Sequence, residues 1–169
     1  MKLNVAELET PIGPILTIAG ADGLCALGFG REPRGIRRWL ERRFGEFELS
    51  PVASLPRITA PLKAYFAGDL GALDRIEVDT GGTEFQQEVW KRLRKVRVGT
   101  TVAYGELARV IGRPAATRAV AAANAHNPVA IVVPCHRVIA ADGSLWGYGG
   151  GIERKRWLLR HEGALGTLI

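Results

Sequence analysis

Pro134 ends the β-branched run Ile131-Val132-Val133 and stands directly before Cys135-His136. The run reads as a short buried strand. Proline fixes φ and removes a ladder donor, so such a strand must stop or bend at residue 134. Cys135 is then held in the interior but aimed out of the ladder. Adjacent side chains of a strand point to opposite faces, so His136 reaches Cys135 only through the bend or through a bridging water.

A lone cysteine in a buried run is most often packing. Three further residues argue for chemistry. His136 can act as a base, Glu162 in His161-Glu162-Gly163 can orient it, and Asn127 in Asn127-Pro128 can pin the loop. Cysteine, histidine and an orienting acid form an activated-nucleophile set. Cys135 is therefore expected to have a lowered thiol pKa or to lose its proton on demand.

With 169 residues and 47% hydrophobic content, the chain can build one ordinary domain or two small ones sharing a core. The excess of 23 Lys and Arg over 17 Asp and Glu gives a net charge of +6, which favours a polyanionic partner. Cys25 and Cys135 are far apart and form no C-x-x-C, so a disulfide framework is not expected and a reducing compartment, the cytoplasm, is. Zinc is poorly supported, because none of His126, His136 and His161 is near Cys25. Neither a signal peptide nor a membrane span is read in the chain.

Residues Leu3 to Phe29 read as β-structure, with Asp22-Gly23 as a hairpin signal and Cys25 as packing. An amphipathic helix follows near Arg34 to Phe44. Its face of Ile36, Trp39, Leu40 and Phe44 is apolar, and its arginines read as a solvated face. A second helix is expected over Pro56 to Ala67, and one more strand around Leu73, Ile76 and Val78. Asp79-Thr80-Gly81-Gly82 is the expected boundary between a domain of residues 1–80 and one of residues 83–169.

Thr83-Glu84-Phe85-Gln86 fits a capping box, followed by a helical stripe of Phe85, Val89, Leu93 and Val96. Glu106 to Ile111 reads as a short helix, Gly112-Arg113-Pro114 as a tight turn, and Ala115 to Ala125 as an alanine-rich helix. Two helices across such a turn make a helix-turn-helix candidate. Arg118 interrupts an alanine face that could approach a DNA groove closely, with little sequence preference. The glycine-rich loop from Trp146 to Gly151 lacks a nucleotide-binding signature and reads as a wall whose amides can face a ligand. A last helix, Ile152 to Arg160, is expected to turn Trp157 and Leu158 inward. Arg154, Lys155 and Arg156 supply its basic residues, and it ends where Glu162 can return to His136.

Taken together these residues resemble the O6-alkylguanine-DNA alkyltransferases, also called methylated-DNA–protein-cysteine methyltransferases. The resemblance rests on Pro134-Cys135-His136-Arg137-Val138. It is supported by Phe85 through Trp90, Tyr104-Gly105-Glu106, Arg118-Ala119-Val120, Asn127-Pro128, Tyr148 through Gly150, and Lys155 through Leu159 with His161-Glu162-Gly163. It runs from Thr83 to Gly163. It implies an α/β (α+β) chain: an N-terminal ribonuclease-H-like sheet-and-helix domain, then a helical C-terminal domain with a helix-turn-helix. It also implies DNA repair by direct, single-turnover transfer of an alkyl group from O6-alkylguanine, and from O4-alkylthymine, in double-stranded DNA.

The same resemblance implies roles. Cys135 would attack the alkyl carbon, His136 would act through a water, Glu162 would orient it, and Asn127 would brace the turn. Tyr104 would donate to the departing guanine. Val138, Trp146, Tyr148 and Gly149 would line the substrate pocket. Ala116, Thr117, Arg118, Ala119 and Ala121 would meet DNA, with Arg118 filling the gap left by a flipped nucleotide. No cofactor, no metal, no membrane contact and a monomeric state are implied. Gly149 stands where some members have a small polar residue, and Thr117 is enlarged beside Arg118. A Cys-His-Glu hydrolase and a non-catalytic helix-turn-helix regulator are the competing readings.

Overall fold

The computed structural model describes residues 1–145 and 147–165. Its contacts divide the chain into two units. One is Met1–Gly82 with Pro128–Val132, and the other is Thr83–Asn127 with the chain from Val133 onward.

In the first unit, three strands fold as a meander: β1 (Lys2–Leu8), β2 (Ile15–Gly20) and β3 (Gly23–Phe29). Helix α1 (Ile36–Phe44) leads to β4 (Glu48–Pro51), and α2 (Pro56–Phe66) follows. The sheet order is β3-β2-β1-β4, antiparallel except for the parallel pair β1–β4. The β2–β3 hairpin closes with Gly20 opposite Gly23, at the expected Asp22-Gly23 turn. Gly23 has φ +128, and a Cβ there would sit 2.7 Å from the Glu77 carbonyl oxygen, so only glycine fits without a shift. Leu3, Ile18, Cys25 and Ala26 form a core with Leu40 of α1, and Ile36, Trp39 and Phe44 pack against it. The helix face read from the 3.6-residue spacing is thus the buried one.

Leu73, Ile76 and Val78 do not form the expected strand. Leu70–Arg75 is a 3-10 turn, and Val78 makes only an isolated parallel bridge to Leu24. Three apolar residues across six positions fit a buried turn and one extended residue as well as a strand.

The run before Pro134 is also not a strand. Val129 makes a single parallel bridge to Leu27, and the Leu27 amide donates to the Pro128 carbonyl at 2.9 Å. Beyond it the chain turns, with Ile131 at φ 72. That is a strained value for a β-branched residue, kept only where the surroundings impose it. Ile131, Val132 and Val133 are buried all the same.

In the second unit, α3 (Glu84–Leu93) starts from a complete capping box. The Gln86 amide donates to the Thr83 hydroxyl at 3.1 Å, and the Thr83 amide donates to the Gln86 side chain at 3.0 Å. The helix stops before Val96, and Val89, Trp90 and Leu93 are its buried face. Then come β5 (Val102–Ala103), α4 (Tyr104–Val110) and α5 (Thr117–Ala125). A 3-10 turn at Cys135–Arg137, β6 (Val138–Ile139) and α6 (Ile152–His161) follow. Helices α4 and α5 pack on each other across residues 111–116. The Trp90 indole donates to the Ala123 carbonyl at 2.8 Å and ties α3 to α5. Among the described residues, no helix is long and apolar enough to cross a membrane.

Candidate functional site

The parallel pair β5–β6 organises the site. Val102 lies opposite Val138 and Ala103 opposite Ile139. Tyr104 opens the helix directly after β5, and Cys135–Arg137 is the turn directly before β6. Two residues of ladder therefore bring Tyr104 to the cysteine turn. The Val138 amide closes that turn on the Cys135 carbonyl.

Cys135 is buried, with 7% of its surface exposed. The side-chain amide of Asn127 donates to the Val133 carbonyl at 2.7 Å and also bonds to Cys135. Asn127 thus braces the chain on both sides of Pro134. Asn124, buried on α5, adds a long contact of 3.5 Å from its amide to the Cys135 carbonyl. Burial pushes the Cys135 thiol up. The Asn127 hydrogen bond and the positive charge of Lys155 pull it partly back. The resting sulfur is therefore a neutral thiol, and of the two expectations only deprotonation on demand fits. Cys25 is pushed up to about 11 by burial, and its thiol donates to the Ile18 carbonyl at 3.2 Å. It is a packing residue.

The residues that follow Cys135 belong to a buried network. His136 Nε2 meets Glu162 Oε1 at 2.7 Å. Arg137 grips the same carboxylate twice, Nε to Oε2 and Nη2 to Oε1, both at 2.9 Å. Its Nη1 donates to the Val96 carbonyl at 2.7 Å. Burial alone would raise the Glu162 pKa. The hydrogen bonds and charges of His136 and Arg137 outweigh it and hold the acid at about 2. An ionised Glu162 can only accept, so Nε2 of His136 carries the proton shared between them. Burial also lowers the His136 pKa, which keeps the ring neutral. Nδ1 is then a bare lone pair, and among the described residues it has no partner. It can take a proton through one bridging water, the arrangement open to neighbouring side chains that do not touch.

Tyr104 is half-buried, and burial together with the Cys135 charge raises its phenol pKa. It stays protonated and can donate. A Cβ on Gly147 would lie 3.7 Å from the Tyr104 hydroxyl, so the glycine-rich loop passes close to it. Gly149 is exposed, and a Cβ there would meet nothing within 4 Å. Tyr148 is half-buried and Val138 fully buried. Trp146, the remaining pocket residue expected from the sequence, lies outside the described residues. Along α5, Arg118 and Ala119 are exposed, while Ala116, Thr117 and Ala121 are half-buried.

Two residues escaped the sequence reading. Arg137 was one letter of a motif rather than the clamp of Glu162. Lys155, grouped with Arg154 and Arg156 as basic, is wholly buried, and its Nζ donates to the Val138 carbonyl at 2.6 Å. Its spacing to the buried Leu158 and Leu159 is the i, i+3, i+4 stripe that could have revealed it. Trp157 is only half-buried and stacks on His161, with ring centroids 4.7 Å apart. Among the described residues, no group of three or more His, Cys, Asp or Glu could hold a metal ion.

Residues 84–164 match the family described as 6-O-methylguanine DNA methyltransferase, DNA binding domain. The chain is 42% identical over 168 residues to a methylated-DNA–protein-cysteine methyltransferase of Shigella flexneri, covering 98% of both. It is similar to the crystal structure of the Mycobacterium tuberculosis O6-methylguanine methyltransferase, with a TM-score of 0.78 and 40% identity over 99% of this chain and 96% of that one. Mycobacterium tuberculosis OGT in complex with DNA is similar at a TM-score of 0.77 and 41% identity, over 95% of this chain and 93% of that one.

Proposed function

Because this chain belongs to the methylated-DNA–protein-cysteine methyltransferase family, we propose that it repairs DNA by transferring an alkyl group from O6-alkylguanine to its own Cys135, once per molecule. The observation that carries this reading is the buried His136–Glu162–Arg137 network beside a buried thiol. A displacement at carbon needs a soft nucleophile, and a thiolate supplies it. The Cys135 proton passes through a water to His136 Nδ1. The sulfur–carbon bond forms as the carbon–oxygen bond breaks, and the electron pair stays on guanine, where Tyr104 donates to the developing charge. The carbonyls of Cys135 and Val138 accept from the exocyclic amine. The amides of Tyr148 and Gly149 lie at the guanine oxygen. O4-alkylthymine is a second substrate with the same reacting bond.

Helices α4 and α5 act as the helix-turn-helix, with Ala116, Thr117, Ala119 and Ala121 against the minor groove. The sheet order of the first unit, with its parallel β1–β4 pair, supports a ribonuclease-H-like N-terminal domain. The protein acts as a monomer on double-stranded DNA.

Incubation with duplex DNA carrying isotope-labelled O6-methylguanine tests the reading. The expected result is one label per chain, mapped to Cys135. A hydrolase or a non-catalytic regulator would give no stable label, and a label on Cys25 would overturn the site.

A base stacked in a duplex cannot reach an interior sulfur, and flipping it costs a few kcal/mol. Arg118 is exposed on α5 and suited to occupy the vacated stack. Arg118→Ala is expected to slow transfer from duplex DNA about tenfold or more, the scale of losing one to two kcal/mol of that support. Transfer from free O6-benzylguanine should be unchanged, since nothing is flipped. Equal slowing of both substrates would remove the arginine from this role.

A further inference from the structure

From Val89 to Gly105 the chain carries five cations and no carboxylate: Lys91, Arg92, Arg94, Lys95 and Arg97. This one stretch holds a charge nearly equal to the net +6 of the molecule. Lys91, Arg92, Lys95 and Arg97 are exposed. Among the described residues, none of these four has an ion-pair partner. The acid nearest in sequence, Glu88, lies 3.5 Å from Arg113 on the turn before α5. Cations in the last turn of a helix complement its dipole, which suits Lys91 and Arg92. Lys95 and Arg97 stand past the helix end, where that effect has faded. A solvated helix face mixes signs, as α1 does with Arg37 and Glu41, 3.6 Å apart at a spacing of four residues. Lys91 and Lys95 have the same spacing with like charges, which repel. The winding continues that far, since the Lys95 amide donates to the Arg92 carbonyl at 3.0 Å. A row of cations kept against its own repulsion is an electrostatic surface for a polyanion.

The patch faces away from α5. Val89, Trp90 and Leu93 turn inward, and the Trp90 indole is the tie to Ala123 of α5, at 2.8 Å. At about 100° per residue, Lys91 and Lys95 fall opposite that stripe, with Arg92 beside them. The thickness of a helix, about 10 Å, therefore separates the two faces. A duplex is stiff over about 150 base pairs, so one that follows α5 does not double back onto α3 without severe bending. The backbone under the patch is fixed as well: Arg137 Nη1 donates at 2.7 Å to the carbonyl of Val96, between Lys95 and Arg97.

We propose that this face of α3 binds the phosphate backbone of a second DNA segment while α5 holds the first, so that the protein passes between duplexes without becoming free. The contacts are to phosphates, so the face reads no sequence and its hold weakens with salt. A molecule that repairs one lesion only, and must find it among intact DNA, gains from such a handover. The proposal rests on the DNA-binding reading given above and adds a second site to it.

The test follows the release of a short fluorescent duplex from the whole chain, at nanomolar protein, as unlabelled duplex is added. With one DNA site the release rate is fixed, because the first duplex must leave before another arrives. With two sites the rate rises with competitor concentration. The parent is expected to show a rise of about tenfold or more. The rise should vanish in the variant that combines Lys91→Gln, Arg92→Gln, Lys95→Gln and Arg97→Gln. These side chains are exposed, so the variant should melt close to the parent. Its label transfer to Cys135 from a single lesion-bearing duplex should be unchanged, which separates failure of this proposal from failure of the repair reading.

A parent release rate that ignores competitor overturns the proposal, and so does a variant that keeps the parent's rise. A variant that binds one duplex more weakly, with a salt dependence shallower by about three to four phosphate contacts, would put the patch on the same duplex as α5 and also overturns it. If polyglutamate speeds release as strongly as duplex does, the face takes acidic protein rather than DNA, and the proposal fails.

Discussion

Cys135→Ala is expected to abolish alkyl transfer from DNA, by a factor of more than about a thousand, while duplex binding stays within about twofold of the parent. The asymmetry follows from where the two functions sit. The reaction needs a sulfur lone pair at one atom, and no second nucleophile stands in for it: Cys25 is buried in the core of the first unit, with its thiol held protonated at about 11. On the proposed reading, binding depends on the exposed face of α5 and on phosphate contacts spread over many basic residues, each a small share of the affinity. Label transfer and a salt-dependent duplex titration on the same preparation check both halves. Residual transfer above a few per cent would mean another acceptor. A large loss of binding would mean that Cys135 holds α5 in place. The parent should stop at one alkyl group per chain even with excess substrate, since a thioether is a poor leaving group and no resolving cysteine exists.

The second large effect is on stability. Glu162→Gln is expected to destabilise the protein by about 3–5 kcal/mol, because it leaves the Arg137 guanidinium buried without its counter-charge. In a chain of this size that lowers the melting temperature by on the order of 10 °C. Removing the charge from both partners, as in Glu162→Gln with Arg137→Met, should recover much of the loss, and thermal melts of the two variants check it. No recovery would mean that the carboxylate matters through His136 alone.

The pH dependence follows from the same pair. The folded Glu162 pKa, about 2, is depressed below its ordinary value of 4.5. Its contribution is therefore full above pH 4.5 and lost as pH falls towards 2. His136 is also depressed, by burial, so its contribution starts to fall below pH 6.5. Both act in the same direction, and the parent should lose stability steadily on acidification. The Glu162→Gln variant should lose the part of that slope lying below pH 5.

What could be read from the residues was mainly local. Thr83 and Gln86 are three positions apart and cap each other, so their helix start was legible at once. The hairpin at Asp22-Gly23 and the inward face of α1 were legible for the same reason. The nucleophile's neighbourhood was legible through residue types: a thiol, an imidazole, an acid and an amide in one half of the chain. Ile131-Val132-Val133 was misleading, because an apolar β-branched run reports burial and burial does not distinguish a strand from a turn. Strands β5 and β6 have two residues each, too few for any period, although they bring Tyr104 to Cys135. Arg137 and Lys155 were hidden by their charge. A basic residue is read as solvated until its buried partner is known, and those partners lie 25 and 17 positions away.

The segment Pro128–Val132 gives the molecule a property beyond chemistry. Its residues belong to the first unit, yet some 45 residues of the second unit precede them in the chain. During synthesis the N-terminal sheet can form as soon as β4 emerges, but Leu27 receives its bridge from Val129 only after α5 has been made. The first unit is thus finished late, by residues encoded beside the nucleophile. A cut at Gly82 would not yield two self-sufficient modules, because the upstream fragment would lack its last tie and the downstream one would carry a stranded apolar loop. In such a chain the halves are inherited together, and recombination that exchanges one without the other would break both.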